Sequence, residues 1–353
     1  MPKYADIVFP MKLGPLTYRV PPGVEPGMLV EAEVGRAMQR GLVLAPRATP
    51  PEGRIKEIAG TVGEGPAVSP AYLRLVSWMA EYYMAPEGIV LKRILPREFF
   101  RPVALRAKAE APAPPAPPGI REPEAHFTVG DAPGEAAALV RESLARGEYA
   151  TLLYHAARYE DEEALVLDAL DASPTGSIVL APDRDRAARL FGLIARRWPE
   201  RAVLLRSGMS GGRRTDALDR IRDGRAGIVV GSRTALFAPL PRVSLIAVMG
   251  EESKVYKEES GVRYGARDAA VMRALLEGAT ALLTSLAPSL ESLQNATEGK
   301  YTPLPSLPRA LKPAVRIVDA RRIARPEVVS PRLRAAAASA IGRGERVMVV
   351  VNR

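Results

Sequence analysis

The chain has 353 residues, 47% hydrophobic and 25% charged, which suits a globular protein of two or more domains and excludes wholesale disorder. With no cysteine and only His126 and His155, it has no disulfide and no thiolate metal site, and a histidine metal site or His-based triad is not expected. The formal charge of +10 points to a polyanionic partner, but Leu311 to Arg353, with ten Lys and Arg against three Asp and Glu, supplies +7 of it. A solvated basic surface explains such an excess equally well. No apolar run approaches membrane-spanning length and no basic start leads into an apolar stretch, so a soluble cytoplasmic protein without membrane partners is expected.

From about Tyr4 to Ile58, the runs ADIVF, LTYRV, MLVEAEV and RGLVLAP are short and strand-like, divided by turns such as Pro21-Pro22-Gly23 and Pro26-Gly27. Short strands with frequent turns predict a small β-barrel or sandwich. Ser69 is placed to cap a helix with Pro70 at its first position, and Tyr72, Val76, Met79 and Tyr83 recur at helical spacing; this helix is expected to close the barrel. The Pro/Ala-rich stretch AKAEAPAPPAPPG from Ala107 to Gly119 reads as a semi-rigid linker. Beyond it, ATLLY, SIVLAP, AVLLR, GIVVG, VSLIAVM and ATALLT alternate with helical patterns, as in a parallel sheet buried on both faces. The end of the chain adds a strand-like VRIVD, a helix capped by Ser330-Pro331 and a strand-like RVMVVV, too little for an independent core.

GSRTALFAP, YKEESGVRYGARDAAVMRALLEGA, SLAPSLESLQNATEGKY and the opening LGPLTYRVPPGVEPGMLVEAEVGR together resemble the PriA family of replication-restart proteins (primosomal protein N′). The resemblance implies an α/β chain. A β-rich 3′-DNA-end-binding domain covers 1–104, a linker 105–122, a RecA-like helicase lobe 123–310 and the beginning of a second lobe 311–353. It also implies that the chain is a fragment or truncated form, with the family's zinc-binding and C-terminal regions beyond Arg353. The interval from Arg101 to Phe127 has room only for the linker, so the family's winged helix is expected to be missing.

The resemblance locates a nucleotide site that this sequence does not keep. A P-loop needs glycines to converge backbone N–H groups on phosphates, Lys for the terminal phosphates and Ser or Thr for magnesium. At that position the chain reads His155-Ala156-Ala157-Arg158-Tyr159-Glu160-Asp161-Glu162, with Glu160 in place of the second Gly, Asp161 in place of Lys and Glu162 in place of Thr. Each carboxylate at about 4 Å repels a phosphate by roughly 1 kcal/mol in water-like surroundings and about 4 kcal/mol near a surface. Where the family carries an Asp-Glu pair followed by Glu-His, the chain has Met249-Gly250-Glu251-Glu252, and only Glu251 matches. The family's adenine-contacting Gln has no counterpart near FTVGDAPGEAA. Neither ATP nor a metal is therefore expected, although Glu251, Glu252 and the acidic run from Glu160 to Glu163 have an alternative reading as a new metal site. Such acidic runs are more often solvated helix starts.

DNA-facing motifs remain. In the resemblance, Ser232, Arg233 and Thr234 contact single-strand phosphates, although they also read as a tight strand-to-helix turn. Tyr256 and Tyr264 are candidates to stack on bases, with Lys254, Lys257, Arg263 and Arg267 as cations. In the alternative, Arg267 and Asp268 form a helix-start ion pair and Tyr264 packs inward. Thr17, Tyr18 and Gly35 line the 3′-terminal-base pocket by resemblance, some family members carrying Asp where Thr17 stands; Tyr18 and Gly35 equally suit a barrel core and a hairpin turn. The expected function is recognition of abandoned forks and scaffolding of replisome reloading without unwinding. Forked and single-stranded DNA, other primosome proteins and single-stranded-DNA-binding protein are the implied partners. An active ATP-dependent 3′-to-5′ helicase and a pure protein-interaction platform are the competing readings.

Overall fold

The computed structural model describes residues 3–49, 51–100, 134–306, 315–319 and 329–350. The linker 105–122, the winged-helix interval and most of the segment around the expected adenine contact lie outside these residues. The chain divides into Met1–Pro308 and Arg309–Arg353.

The first unit begins with an antiparallel sheet of β1 (Tyr4–Val8), β2 (Leu16–Arg19), β3 (Leu29–Val34), β4 (Ala37–Arg47) and β5 (Ile58–Val62), ordered β2-β1-β4-β3-β5. Four of these strands were legible as apolar runs. The fifth, IAGTV, carries too few apolar residues to stand out. Alternation buries Ala5 and Ile7 on one face of β1, as a half-buried strand requires. The edges β2 and β5 do not form a ladder; one parallel bridge, Arg19 to Glu57, and the Arg19 N–H to Lys56 carbonyl bond (2.9 Å) approach closure. The element is an antiparallel half-barrel sheet, the small β-rich domain expected of this segment.

Next come α1 (Pro70–Tyr82) and α2 (Glu87–Ile94). The Ser69 hydroxyl accepts the Tyr72 N–H at 3.1 Å, and Pro70 occupies the first turn, where its missing N–H costs nothing. α1 does more than cover the half-barrel. Its Tyr72, Leu75, Val76 and Met79 belong to one buried cluster that includes Val8, Leu29 and Leu42 of the first sheet and Ile178 and Ile246 of the second.

The second sheet is entirely parallel. It contains β6 (Ala150–His155), β7 (Gly176–Leu180), β8 (Ala202–Leu205), β9 (Ile228–Gly231), β10 (Val243–Met249), β11 (Thr280–Ser285) and the two-residue β12 (Thr302–Pro303), in the order β12-β6-β11-β10-β7-β9-β8. Every residue of β7, β9 and β11 is buried, so these strands read as unbroken apolar runs. The helices α3 (Gly134–Arg146), α4 (Tyr159–Ala172), α5 (Arg184–Arg197), α6 (Gly211–Arg222), α7 (Ala266–Glu277) and α8 (Leu290–Thr297) accompany it. Gly278 ends α7 at φ 68°, the left-handed conformation that glycine adopts without steric cost.

In the second unit, α9 (Pro331–Gly342) starts as expected, with the Ser330 hydroxyl accepting the Leu333 N–H at 3.1 Å. The strand expectations here are corrected: residues 315–319 and 345–350 have no regular structure. A strand is a paired object, and among the described residues of this unit neither run has a hydrogen-bonded neighbour.

Candidate functional site

Register in the half-barrel places Asp6 of β1 opposite Thr17 of β2. The Thr17 hydroxyl donates to Asp6 Oδ1 at 2.6 Å, and Arg47 of β4 donates to Thr17 Oγ1 at 3.0 Å and to Asp6 at 3.4 Å. The Arg47 and Asp6 side chains retain 44% and 26% exposure, so this carboxylate, hydroxyl and guanidinium face solvent together. Strand alternation turns the next residue inward. Tyr18 is 4% exposed, meets Phe9 edge-on at 5.7 Å and donates to the Glu33 carbonyl at 2.9 Å. Burial, then the Glu33 charge, raises its phenol pKa. The ring is core, so Tyr18 supports this face from beneath and offers no stacking surface. Gly35 opens the two-residue turn between β3 and β4 at φ 64°, the primed-turn position that favours glycine. Lys56, which the sequence reading passed over, donates to the Gly35 carbonyl and pairs with Glu33, both at 3.1 Å. No sequence pattern marks Lys56, because its partners Gly35 and Glu33 are remote from it in the sequence.

The position of the expected phosphate loop is the junction of β6 and α4. Its acids are not a solvated helix start, which corrects that expectation: Asp161, Glu162 and Glu163 are 4%, 0% and 5% exposed. Asp161 accepts the Arg158 N–H at 3.0 Å and pairs with its guanidinium at 2.8 Å. Glu163 pairs with Arg189 at 2.9 Å. Glu162 pairs with Arg186 of α5 at 2.8 Å, and the Arg186 guanidinium lies 4.5 Å over the Tyr159 ring. Burial pushes the Glu162 carboxyl upward, against the downward pull of Arg186. Glu160 is half-buried, and His155 Nε2 lies 3.1 Å from the Leu286 carbonyl.

Glu251, the one residue matching the second nucleotide motif, is likewise engaged. It is 2% exposed and accepts the Ser289 N–H (2.6 Å), the Ser289 hydroxyl (3.0 Å) and the Ser292 hydroxyl (2.9 Å), which fixes the start of α8. Arg267 completes the group at 3.2 Å. Glu252 accepts the Ser285 hydroxyl at 2.5 Å, the Met249 carbonyl accepts the Tyr256 hydroxyl at 2.7 Å, and Gly250 turns at φ 58°. Among the described residues no three His, Asp or Glu side chains gather to hold a metal ion.

The expected single-strand contacts divide into two groups. Gly231 is required where it stands, because a Cβ there would come within 1.9 Å of the Leu205 carbonyl; the chain then enters a 3-10 turn, Arg233–Phe237. Arg233 does not point at an open phosphate site: it donates to the Val255 and Lys257 carbonyls (3.1 and 2.7 Å) and pairs with Glu258 at 3.2 Å. Arg267 is held by Glu251, Ser289 and Asp268. Tyr256 and Tyr264 are 3% and 0% exposed, Tyr264 packing edge-on against Phe237 at 5.1 Å. These four are engaged within the loop, Arg267 with Asp268 and Tyr264 packed inward, which is the arrangement of the alternative reading. Lys257, Arg263 and Thr234 are exposed and Ser232 is half-buried, so these four retain access to a ligand.

Glu258 is the charge centre of that loop, 3% exposed and paired with Arg93 as well as Arg233. Burial works upward on its pKa, but Arg93, the Ser260 N–H and hydroxyl, and Arg233 outweigh it and hold the carboxyl below its ordinary value. A depressed carboxylate contributes stability that is present above its unfolded-state value, roughly 4.3, and lost as pH falls through the lower folded-state value. Glu258→Gln is therefore expected to melt below the parent chain at pH 7, with the gap closing below about pH 4. A gap that stays constant with pH would remove Glu258 from this role.

The profile of the PriA 3′DNA-binding domain (3′BD) matches residues 6–96. The chain is 26% identical over 311 residues to the replication restart protein PriA of Rickettsia conorii, covering 85% of this chain and 45% of that protein. It is 27% identical over 223 residues to that of Bacillus subtilis, covering 61% and 28%, and 37% identical over 98 residues to that of Haemophilus influenzae, covering 28% and 13%. The chain spans less than half the length of these relatives. Among solved structures, a DEAD box protein from Methanococcus jannaschii aligns at TM-score 0.36 and 16% identity over 48% of each chain, too loose a likeness to bear on function.

Proposed function

Since this chain is a replication-restart protein of the PriA type, we propose that it recognises stalled or abandoned forks through DNA 3′ ends and does so without hydrolysing ATP. The observation that carries the first part is the 3′DNA-binding domain over residues 6–96, with Asp6, Thr17 and Arg47 grouped on its exposed edge. A carboxylate and a hydroxyl suit a terminal sugar hydroxyl or a base edge, and a guanidinium suits the neighbouring phosphate. Thr17 donates a hydrogen bond to Asp6, which sets a carboxylate beside the hydroxyl from the neighbouring strand.

The second part is supported by the pairing at β6 and α4. A nucleoside triphosphate does not fit the residues there. The orphan N–H groups of a helix start and a nearby cation are what phosphates use, and here Asp161 takes an N–H while Glu162 takes the Arg186 cation. No helix among the described residues is long and apolar enough to cross a membrane. A cytoplasmic setting, with other primosome proteins and single-stranded-DNA-binding protein as partners, completes the proposal.

The test is a labelled fork whose leading-strand 3′ end lies at the junction, compared with the same fork bearing a 3′-phosphate. Tighter binding to the free 3′-hydroxyl is expected, together with affinity that falls as salt rises and no phosphate release from ATP. Equal binding to both forks would overturn the end-recognition reading, and fork-stimulated phosphate release would overturn the other.

A further inference from the structure

Glu258 serves two arginines from distant parts of the chain, and one of them stands among the candidate strand contacts. Arg93 of α2 and Arg233 of the turn after β9 both pair with its Oε2, Arg233 at 3.2 Å. Oε1 is engaged separately, accepting the Ser260 N–H and the Ser260 hydroxyl, each at 3.1 Å. The carboxylate is buried, with 4% of its side chain exposed, whereas Arg93 and Arg233 keep 38% and 27%.

This sharing has two physical consequences. A buried carboxylate cannot be left without a counter-charge, but with two guanidiniums on one oxygen either can depart and the other still neutralises it. Arg233 also has little distance to travel. One of its terminal nitrogens donates to the Val255 and Lys257 carbonyls, and only the other faces Glu258. Exchanging Glu258 for a second anion therefore changes one partner and keeps the rest of the side chain in place. The exposed Thr234 and Lys257 and the half-buried Ser232 lie beside it in sequence or in contact, which suits a phosphate oxygen as that anion. Until the exchange, the Glu258 charge opposes a phosphate approaching Arg233.

We propose that Glu258 is an autoinhibitory latch on single-strand binding: it occupies Arg233 in the DNA-free protein, and a strand phosphate takes Arg233 from it while Arg93 keeps the carboxylate neutralised. Arg93 lies in the segment after the half-barrel, outside every strand-contact motif, and acts through Glu258 as a positioning residue. The latch rests on the reading of Ser232, Thr234, Lys257 and Arg263 as single-strand contacts, but not on recognition of a 3′ end.

Binding of a 3′-phosphorylated oligothymidylate, which presents no free 3′-hydroxyl, reads the latch apart from the end pocket. Glu258→Gln keeps an oxygen for Ser260 and releases Arg233, so it is expected to bind this strand about tenfold more tightly than the parent chain even though it melts lower. Glu259→Gln removes the same charge from the exposed next residue and is expected to change affinity by no more than about twofold. Adding Arg233→Gln to Glu258→Gln is expected to abolish the gain. Arg93→Gln removes the arginine that takes over the carboxylate and is expected to weaken binding by about tenfold. Arg93→Gln with Glu258→Gln is expected to bind as tightly as Glu258→Gln, which a direct contact of Arg93 with DNA would prevent. A Glu258 that only holds the loop together would lower affinity along with stability, so a Glu258→Gln chain that binds no better than Glu259→Gln overturns the latch. A double variant as weak as Arg93→Gln overturns it too. If the parent chain and every variant fail to bind the oligothymidylate, the strand-contact reading fails and the latch with it. The preference of a fork for the free 3′-hydroxyl, measured on the same proteins, then still decides end recognition.

Discussion

Glu162→Ala is expected to destabilise the chain by about 2–3 kcal/mol, read as a lowered urea midpoint. In a working nucleotide site, removing an intrusive carboxylate would relieve repulsion and leave the fold intact. Here the side chain is fully buried and its partner is Arg186, a quarter exposed, with Tyr159 beneath the guanidinium. Breaking a buried pair by removing one member costs about 3–5 kcal/mol because the other charge is left unmatched. The partial exposure of Arg186 lets water recover some of that, hence the smaller figure. The double change Glu162→Ala with Arg186→Ala is expected to cost less than the single one, since it leaves no orphan charge. Unchanged stability in Glu162→Ala would mean that the pair does not hold this end of the sheet and that Arg186 is not committed to Glu162.

Arg273→Ala is expected to cost more, about 3–5 kcal/mol, and to lower the melting temperature by roughly 6–20 °C. Arg273 of α7 has no solvent exposure. Its guanidinium donates to the Leu236 carbonyl, pairs with Glu277 at 3.5 Å and lies 5.2 Å from the Tyr72 ring centre. Burial lowers its pKa, with Glu277 and Tyr72 opposing, and burial raises that of Glu277. Truncation strands both the Glu277 carboxyl and a carbonyl of the turn that follows Ser232. The Tyr72 hydroxyl donates to the next carbonyl of that turn, Phe237, at 3.0 Å, so one buried knot joins α1, α7 and the turn carrying the candidate strand contacts. Arg273→Met with Glu277→Leu is expected to recover most of the loss, because neither charge is then left behind. If the single variant melts like the parent, Arg273 is not the element that positions the turn.

The sequence by itself determined the two sheets. Apolar runs of β6, β7, β9, β10 and β11 announce strands buried on both faces because most positions are apolar or small, and the short runs of β1 to β4, divided by Pro and Gly turns, announce a small β-rich domain. It also determined the cap at Ser69, since a hydroxyl followed by Pro and helical spacing has one stable reading. That Glu160, Asp161, Glu162 and Met249 match a nucleotide site poorly was legible, because that chemistry needs particular residue types. What these side chains do instead was not. A carboxylate in sequence is equally a solvated helix start or half of a buried pair, and only the tertiary structure brought Arg186 from another helix to Glu162 and Arg189 to Glu163. The same limit governed the aromatic loop. Tyr256, Tyr264 and Arg233 have the composition of a DNA contact, but burial is a property of what lies opposite, and Met249, Phe237 and Glu258 lie opposite them. Tyr82, of the same residue type as those buried tyrosines, stayed in solvent at 62% exposure. Residue type sets which interactions a side chain is able to make, and only the packing of distant segments decides which of them is made.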